Sequence, residues 1–317
     1  MTAANATPKL EAALARDLHQ TVPLRHGWRG AAFVALYALG AWGSWRLASA
    51  AADHPAVWLA VAPLWVLAAA ALHGISLFTH EAVHGTFARR PALNAFLGSL
   101  CAWPVLQNFS AYKVLHLRHH GDLGGDGDPD HYANYTRWTW LVFTMNWLRL
   151  LVGYPVYIVA IPILGWRRGT PRERAGILAE VAALVLLAGA IWQSPLPRSL
   201  LLHGWLLPMC IINFMVNVRG MSQHTLLPES TDAVRGTRSI LTGRVVAFFM
   251  CNENYHLEHH LYPGVPWYHL PRVHAALREE LVAQGAPYIG SYSAFVREFV
   301  VGSLRRSPLG SHSAPKT

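Results

Sequence analysis

Charge is scarce in this chain: 14% of its 317 residues are Asp, Glu, Lys or Arg, whereas 53% are hydrophobic. That balance excludes an ordinary water-soluble domain and makes a bilayer part of the solvent. Acidic residues are scarcer than basic ones, 17 against 26, for a formal charge of +9. A nucleic-acid surface would arrange such an excess as a stripe with interleaved aromatics; here the basic residues flank apolar runs, and no nucleic-acid partner is expected. Cysteine is scarce too. Cys101, Cys210 and Cys251 have no CxxC spacing, and Cys210 sits inside an apolar run, which excludes a disulfide framework and an iron-sulfur site. The chemistry-bearing face is therefore expected on the reducing, cytoplasmic side. A cleavable secretory leader is also lacking, because Glu11, Asp17 and His19 precede the first apolar run.

What the chain does have is long apolar runs. Residues 31–51 and 56–78, separated by Asp53, His54 and Pro55, read as a helical hairpin, and residues 175–193 and 199–218, joined by SPLPR, read as a second. Each run is long enough to cross a hydrocarbon core of about 30 Å at about 1.5 Å per residue. Arg46 can snorkel to one boundary, and Glu180 lies near the 167–174 loop at the other. Two further stretches are ambiguous: 92–109 contains Asn94 and Pro104, and 138–164 contains Arg149 and two prolines.

Counting sides decides their fate, because only two full hairpins with neither ambiguous stretch crossing bring all the histidine clusters described below to one face. Arg89, Arg90, Lys113, Arg118, Arg167, Arg168, Arg172 and Arg174 then share that face, as the positive-inside rule requires. Trp138, Trp140 and Trp147 read as interfacial anchors. The expected architecture is thus an all-α integral membrane protein of four transmembrane helices in two hairpins, with two interfacial or re-entrant helices. A cytoplasmic segment 1–30 precedes a membrane domain over 31–306, whose last hundred residues cap the helix ends. A disordered tail over 307–317 follows, and both termini lie in the cytoplasm.

Nine histidines fall just past these runs: His80 and His84; His116, His119 and His120; His224; and His256, His259 and His260. Separations of three and four place imidazoles on one helical face, and neutral imidazole is the commonest metal ligand. Taken alone, HEAVH at 80–84 is a zinc-protease helix with Glu81 as general base. A catalytic zinc takes only three protein ligands, however, which leaves most of the other clustered histidines without a role. Nine imidazoles suit two metals at four or five ligands each. Nitrogen donors do not by themselves choose among iron, copper, nickel and zinc. A metal transporter would string its ligands along a path through the bilayer, whereas these gather at one end.

HEAVHG, then HLRHH followed by DPDHY, then NENYHLEHHLYPGVPWYHLP, resemble the three histidine boxes of the integral-membrane fatty acid desaturase and hydroxylase superfamily. The resemblance covers roughly residues 30–275 and takes in the HHLYP context of the last box as well as its histidines. It implies two non-haem irons held by the nine histidines, His224 filling the isolated position between boxes two and three. Dioxygen would be co-substrate, and hydrogen would be taken from an unactivated C–H bond of a lipid or other long hydrophobic substrate. Loss of a second, neighbouring hydrogen gives an alkene; return of oxygen gives an alcohol. The first expectation is a fatty acyl desaturase, and the alternative is a hydroxylase or ketolase of a carotenoid or alkane.

The chain departs from some relatives in having Gly220 where they carry an asparagine that holds a water, which leaves Asn217, Asn252 and Asn254 as substitutes. It has no HPGG haem motif, no rubredoxin-type CxxC pair and no flavin signature. Electrons are expected from a separate ferredoxin, rubredoxin or cytochrome b5 type donor on the basic face. Asp126, Asp128, Asp130 and Glu81 are candidates to support the imidazoles, because metal-bound histidines commonly donate their other N–H to a carboxylate. His73 reads as packing or support beneath His80, and His131, His269 and His274 as support or surface. His19, His26, His54, His203 and His312 read as unconnected to catalysis.

Overall fold

The computed structural model describes residues 7–50, 54–227 and 230–305, nearly all of them in helices. The expected tail from 307, with His312, and the turn residue Asp53 lie outside the described residues. α1 (Ala12–Leu18) is followed by α2 (Pro23–Ala50), which begins at a proline eight residues before the expected membrane span. α3 (Trp58–Val83) returns against α2 at close range. One glycine from each helix permits it: a Cβ on Gly40 would lie 2.8 Å from Ala68 N and Leu64 O, and one on Gly74 would lie 2.6 Å from the Phe33 ring. Where lipid replaces water, such close backbone approach supplies much of the packing between helices.

α4 (Pro91–Ala102) and α5 (Phe109–Gly121) are too short to span. They are followed by α6 (Thr139–Arg168), α7 (Pro171–Gln193), α8 (Arg198–Leu201) and α9 (Leu207–His224), the last two joined by a π-helical stretch. Among the described residues four helical segments are long and apolar enough to cross a membrane, Pro55–Val83, Thr139–Arg168, Pro171–Gln193 and Arg198–His224, and α2, which holds the expected span 31–51, is not one of them.

α6 meets that criterion, yet the side chain of its last residue reaches the segment just before its start. A straight helix of its length would be about 45 Å long. Instead the guanidinium of Arg168, its last residue, lies 5.8 Å from the ring centre of Tyr135, four residues before its start. The bend has a local cause. Pro155 has no N–H to donate to Leu151 O, and a freed carbonyl in an apolar surround needs a replacement donor. Asn213 of α9 supplies it: its Nδ2 donates to Leu150 O at 2.8 Å and Leu151 O at 3.1 Å, while its Oδ1 accepts from Tyr154 N at 2.8 Å. An amide side chain inserted into the helix ladder at a proline is a sufficient reason for a sharp bend.

The remaining helices therefore have one common end. Trp45 near the end of α2 donates to Ser199 of α8 at 3.0 Å, and Trp65 of α3 stacks on His203. The opposite end carries His80 on α3 and His224 on α9. Over it sits a cap made of α10 (Ala233–Gly236), α11 (Arg244–Phe249), α12 (His256–Leu261), α13 (Leu270–Ala283) and α14 (Tyr292–Arg305). A two-residue parallel pair, β1 (Ser239–Ile240) with β2 (Tyr288–Ile289), ties the cap together. Its core is Leu257, Val265, Leu270, Val273, Leu277 and Leu281, and Leu10 and Leu18 from the N-terminal segment pack into the same cluster. That segment is fastened by Leu10 N–H to Tyr262 Oη at 2.7 Å and Val22 N–H to Tyr268 Oη at 2.6 Å.

Candidate metal centre

All eight box histidines and the isolated His224 meet at this capped end, in two groups. His80, His84, His116, His120 and His259 form one, and His119, His224, His256 and His260 form the other. Within each group the ligand-capable atoms lie within 4.8 Å of one another. α5 and α12 exchange a residue: α5 sends His116 and His120 to the first group and His119 to the second, and α12 does the reverse with His256, His260 and His259. Helix geometry explains the exchange, since i and i+4 differ by about 40° around the axis while i+3 falls about 60° to the other side. One helix edge thus serves two centres, and the stacked rings of His120 and His260, 4.1 Å apart, mark where the groups abut.

The Nε2 atoms point at one another. In the first group the separations are 3.0 Å for His84–His116, 3.1 Å for His116–His120 and 3.1 Å for His120–His259. In the second they are 2.9 Å for His224–His256 and 3.0 Å for His256–His260. With metal–nitrogen bonds of about 2.1 Å, ligands at right angles stand about 3.0 Å apart and tetrahedral ones about 3.4 Å. The observed spacing is close enough for the imidazoles of each group to share one metal ion.

The other ring nitrogens are held from outside. His119 Nδ1 donates to Asp128 Oδ1 at 2.9 Å, and that carboxylate is itself fixed by Gly124 N–H and Asp130 N–H, each at 2.8 Å. His224 Nδ1 donates to Gly236 O at 3.0 Å. His80 Nδ1 lies 2.6 Å from Glu253 Oε1, whose other oxygen is 3.2 Å from Arg219 NH1. The hydrogen bonds of His119 and His224 each fix a tautomer that leaves an Nε2 lone pair facing the centre, whereas His80 and Glu253 meet at ion-pair distance without hydrogen-bond geometry.

Electrostatics agree with neutral imidazoles. Burial, followed by the repulsion of neighbouring rings, holds His116, His256, His259 and His260 well below the usual histidine range and His120 down to about 2. His119 goes the other way: burial opposes its charge, but the bond to Asp128 and the charges of Asp130 and Asp128 more than offset it. Glu253 stays below the usual carboxylate range despite full burial, because His80 and Arg219 face it.

Of the supporting residues expected from sequence, Asp128 is in place. Asp130 lies 3.8 Å from His119, and Asp126 is exposed. Glu81 accepts through Oε2 from Thr86 Oγ1 at 2.7 Å and from Trp267 N–H at 3.3 Å, and it forms a third ligand-capable group with His80 and Glu253. His274 is bound to Glu258 at 2.5 Å and contacts no box histidine through that nitrogen. His73 is buried in α3 with neither ring nitrogen hydrogen-bonded. The three asparagines considered as water holders each donate to a backbone carbonyl: Asn217 to Asn213, Asn252 to Trp267 and Asn254 to Ile240. Sequence reasoning missed Glu253, Arg219 and the Gly236 carbonyl. Glu253, three residues before His256, carried the same signal as the aspartates after box two.

A cavity of about 420 Å³ opens beside the second group, lined by His119 and His224 together with Asp130, Phe143, Arg149 and Phe299 among others. A bent helical bundle with nine inward imidazoles at one end and an adjoining cavity is the build of a membrane metalloprotein. The chain belongs to the fatty acid desaturase family, which matches it over residues 56–292. It is 30% identical over 209 residues to a beta-carotene ketolase of Paracoccus sp., covering 62% of this chain and 72% of that protein. It is 24% identical over 258 residues to an sn-1 oleoyl-lipid 12-desaturase of Picosynechococcus sp., covering 71% of each. With an sn-1 acyl-lipid omega-3 desaturase (ferredoxin) of Synechocystis sp. it shares 22% identity over 293 residues, 81% of this chain and 76% of that protein.

Proposed function

We propose that this chain is an O2-dependent membrane oxidoreductase in which two irons sit in the two histidine groups, and that it desaturates a fatty acyl chain. The observation that carries the reading is the five-plus-four partition of imidazoles with Nε2 spacings near 3 Å. Five imidazoles in one group exceed the three or four protein ligands that zinc takes, and imidazole is a common ligand of iron. When bound, the metal pair supplies activation of dioxygen against an unactivated C–H bond. The chain's own residues do the rest. Asp128, Gly236 O and Glu253 hold His119, His224 and His80 in register, and the cap over the helix ends covers the centre.

In this reading α2, α3, α7 and the α8–α9 unit cross the bilayer, and α6 enters and returns. The histidine end faces the cytoplasm, because the arginines on the 89–90 and 167–174 loops share it. A separate ferredoxin-like donor brings electrons to that basic face, in keeping with the ferredoxin named for the Synechocystis relative. The five-histidine company of His80 and His84 disfavours a zinc protease.

Ketolation or hydroxylation is the second reading. It is favoured by the higher identity to ketolases, 30% and 28% to two Paracoccus proteins, against 22 to 24% for the desaturases compared above. The test is the mass change of lipid and pigment extracts from cells expressing the chain. Loss of two hydrogens from an acyl chain supports desaturation, gain of oxygen on a lipid or pigment supports the second reading, and no change in either contradicts both.

A further inference from the structure

The cavity beside the second histidine group holds a guanidinium with no ion pair within 4.0 Å among the described residues, the Asp130 carboxylate lining the same cavity at longer range. Arg149 of α6 lines it together with His119 and His224. Its hydrogen bond among the described residues is a single contact, Nε to Asn217 Oδ1 at 3.3 Å. Two other partly or largely buried arginines differ: Arg219 faces Glu253 at 3.2 Å and Arg238 faces Glu298 at 3.4 Å. Burying a cation without a partner is costly, and a guanidinium carries five donors in a rigid fork matched to carbonyl and carboxylate oxygens.

One glycine makes the arrangement possible and a second leaves room beside it. A Cβ on Gly153 would fall 2.5 Å from Asn217 Oδ1, so the absence of one lets the asparagine reach α6 and steady Arg149. A Cβ on Gly220 would stand 3.7 Å from Arg149 Nη2, so the guanidinium lies over the bare backbone of α9. Gly220 precedes His224 by four residues, a rise of about 6 Å along the helix. Val142, Phe143 and Phe299 give the same cavity an apolar wall.

We propose that Arg149 is the polar anchor of the substrate cavity, donating to a carbonyl or carboxylate oxygen of a lipid whose apolar part lies along Val142, Phe143 and Phe299. The anchor stands about one helical turn from His224, so the C–H bonds brought to the metal centre are those near the oxygen-bearing end of the substrate. This rests on the oxidoreductase reading above, but its test needs no turnover. The purified full-length chain is titrated with cis-parinaric acid, a fatty acid that fluoresces on binding, and the bound probe is displaced with dodecanoate.

Saturable, displaceable binding is expected for the wild type. Loss of a charged hydrogen bond predicts 10- to 100-fold weaker binding for Arg149→Gln and Arg149→Met, and a smaller loss for Arg149→Lys. Gly220→Leu, which crowds the guanidinium without removing it, weakens binding in the same direction and decides the matter if the Arg149 variants do not fold. Wild-type affinity in Arg149→Gln or in a folded Gly220→Leu overturns the proposal, as does a wild type without saturable binding. A chain that binds the probe in this way but contains no iron would overturn the redox reading alone.

Discussion

Replacing Glu253 by glutamine separates the two metal positions. Its carboxylate lies between His80 Nδ1 at 2.6 Å and Arg219 NH1 at 3.2 Å, and of the two histidine groups His80 belongs only to the five-histidine one. Glutamine keeps an oxygen that can accept from His80 but removes the charge that polarises the imidazole. Loss of such outer support weakens metal binding about 10- to 100-fold, or about 1.4 to 2.8 kcal/mol. The four-histidine group, supported by Asp128 and Gly236 O, keeps its affinity.

Under a chelator challenge, metal content measured by plasma mass spectrometry should therefore fall from two per chain to a plateau near one. A second effect is separable. Glu253→Gln leaves Arg219 buried without its counter-charge, a loss of about 3 to 5 kcal/mol for a buried pair broken on one side. The double variant Glu253→Gln, Arg219→Met should recover thermal stability without recovering the first metal. If the single variant lost both metals together, or neither, the assignment of Glu253 to one group through His80 would be refuted.

Three further outcomes follow from named contacts. Asp128→Asn should produce the complementary plateau, releasing the metal of the His119 group first, and spectroscopy of the half-loaded forms should distinguish it from Glu253→Gln. Asn213→Leu leaves Leu150 O, Leu151 O and Tyr154 N without their present partner, at about 1 to 3 kcal/mol for each group left unmet. It should lower the thermal midpoint markedly with little change in iron per folded chain, and an unchanged midpoint would contradict the patch on α6. Gly40→Ile forces a side chain against the Ala68 and Leu64 backbone, which cannot yield as a flexible side chain does. Its folded yield in membranes should drop sharply, while Gly27→Ile, with nothing within 4 Å of its Cβ, should be tolerated.

Much of this site is legible in sequence because helix periodicity is local. The i, i+4 pairs His80 and His84, His116 and His120, and His256 and His260 each land in one group, as spacing requires. The exchange of His119 and His259 is not legible, since which neighbour an i+3 residue meets depends on how α5 and α12 are set against each other. Side counting read residues 138–164 as non-crossing and 31–51 as crossing, whereas length and hydropathy alone mark Thr139–Arg168 and not α2 as a candidate span. The partner that holds the bend, Asn213, lies nearly sixty residues away and left no local signal. Glu253 was within reach of the rule applied to Asp128, whereas the Gly236 carbonyl has no sequence signature at all.

The central claim is that two irons occupy the five- and four-histidine groups. Metal analysis of the purified chain, combined with Mössbauer spectroscopy of iron-57-enriched protein, tests it most directly. The account predicts close to two irons per chain, both bound by nitrogen, and loss of both signals' integrity when His120 and His260 are replaced together by alanine. A single zinc per chain, or a full iron complement in that double variant, would contradict it.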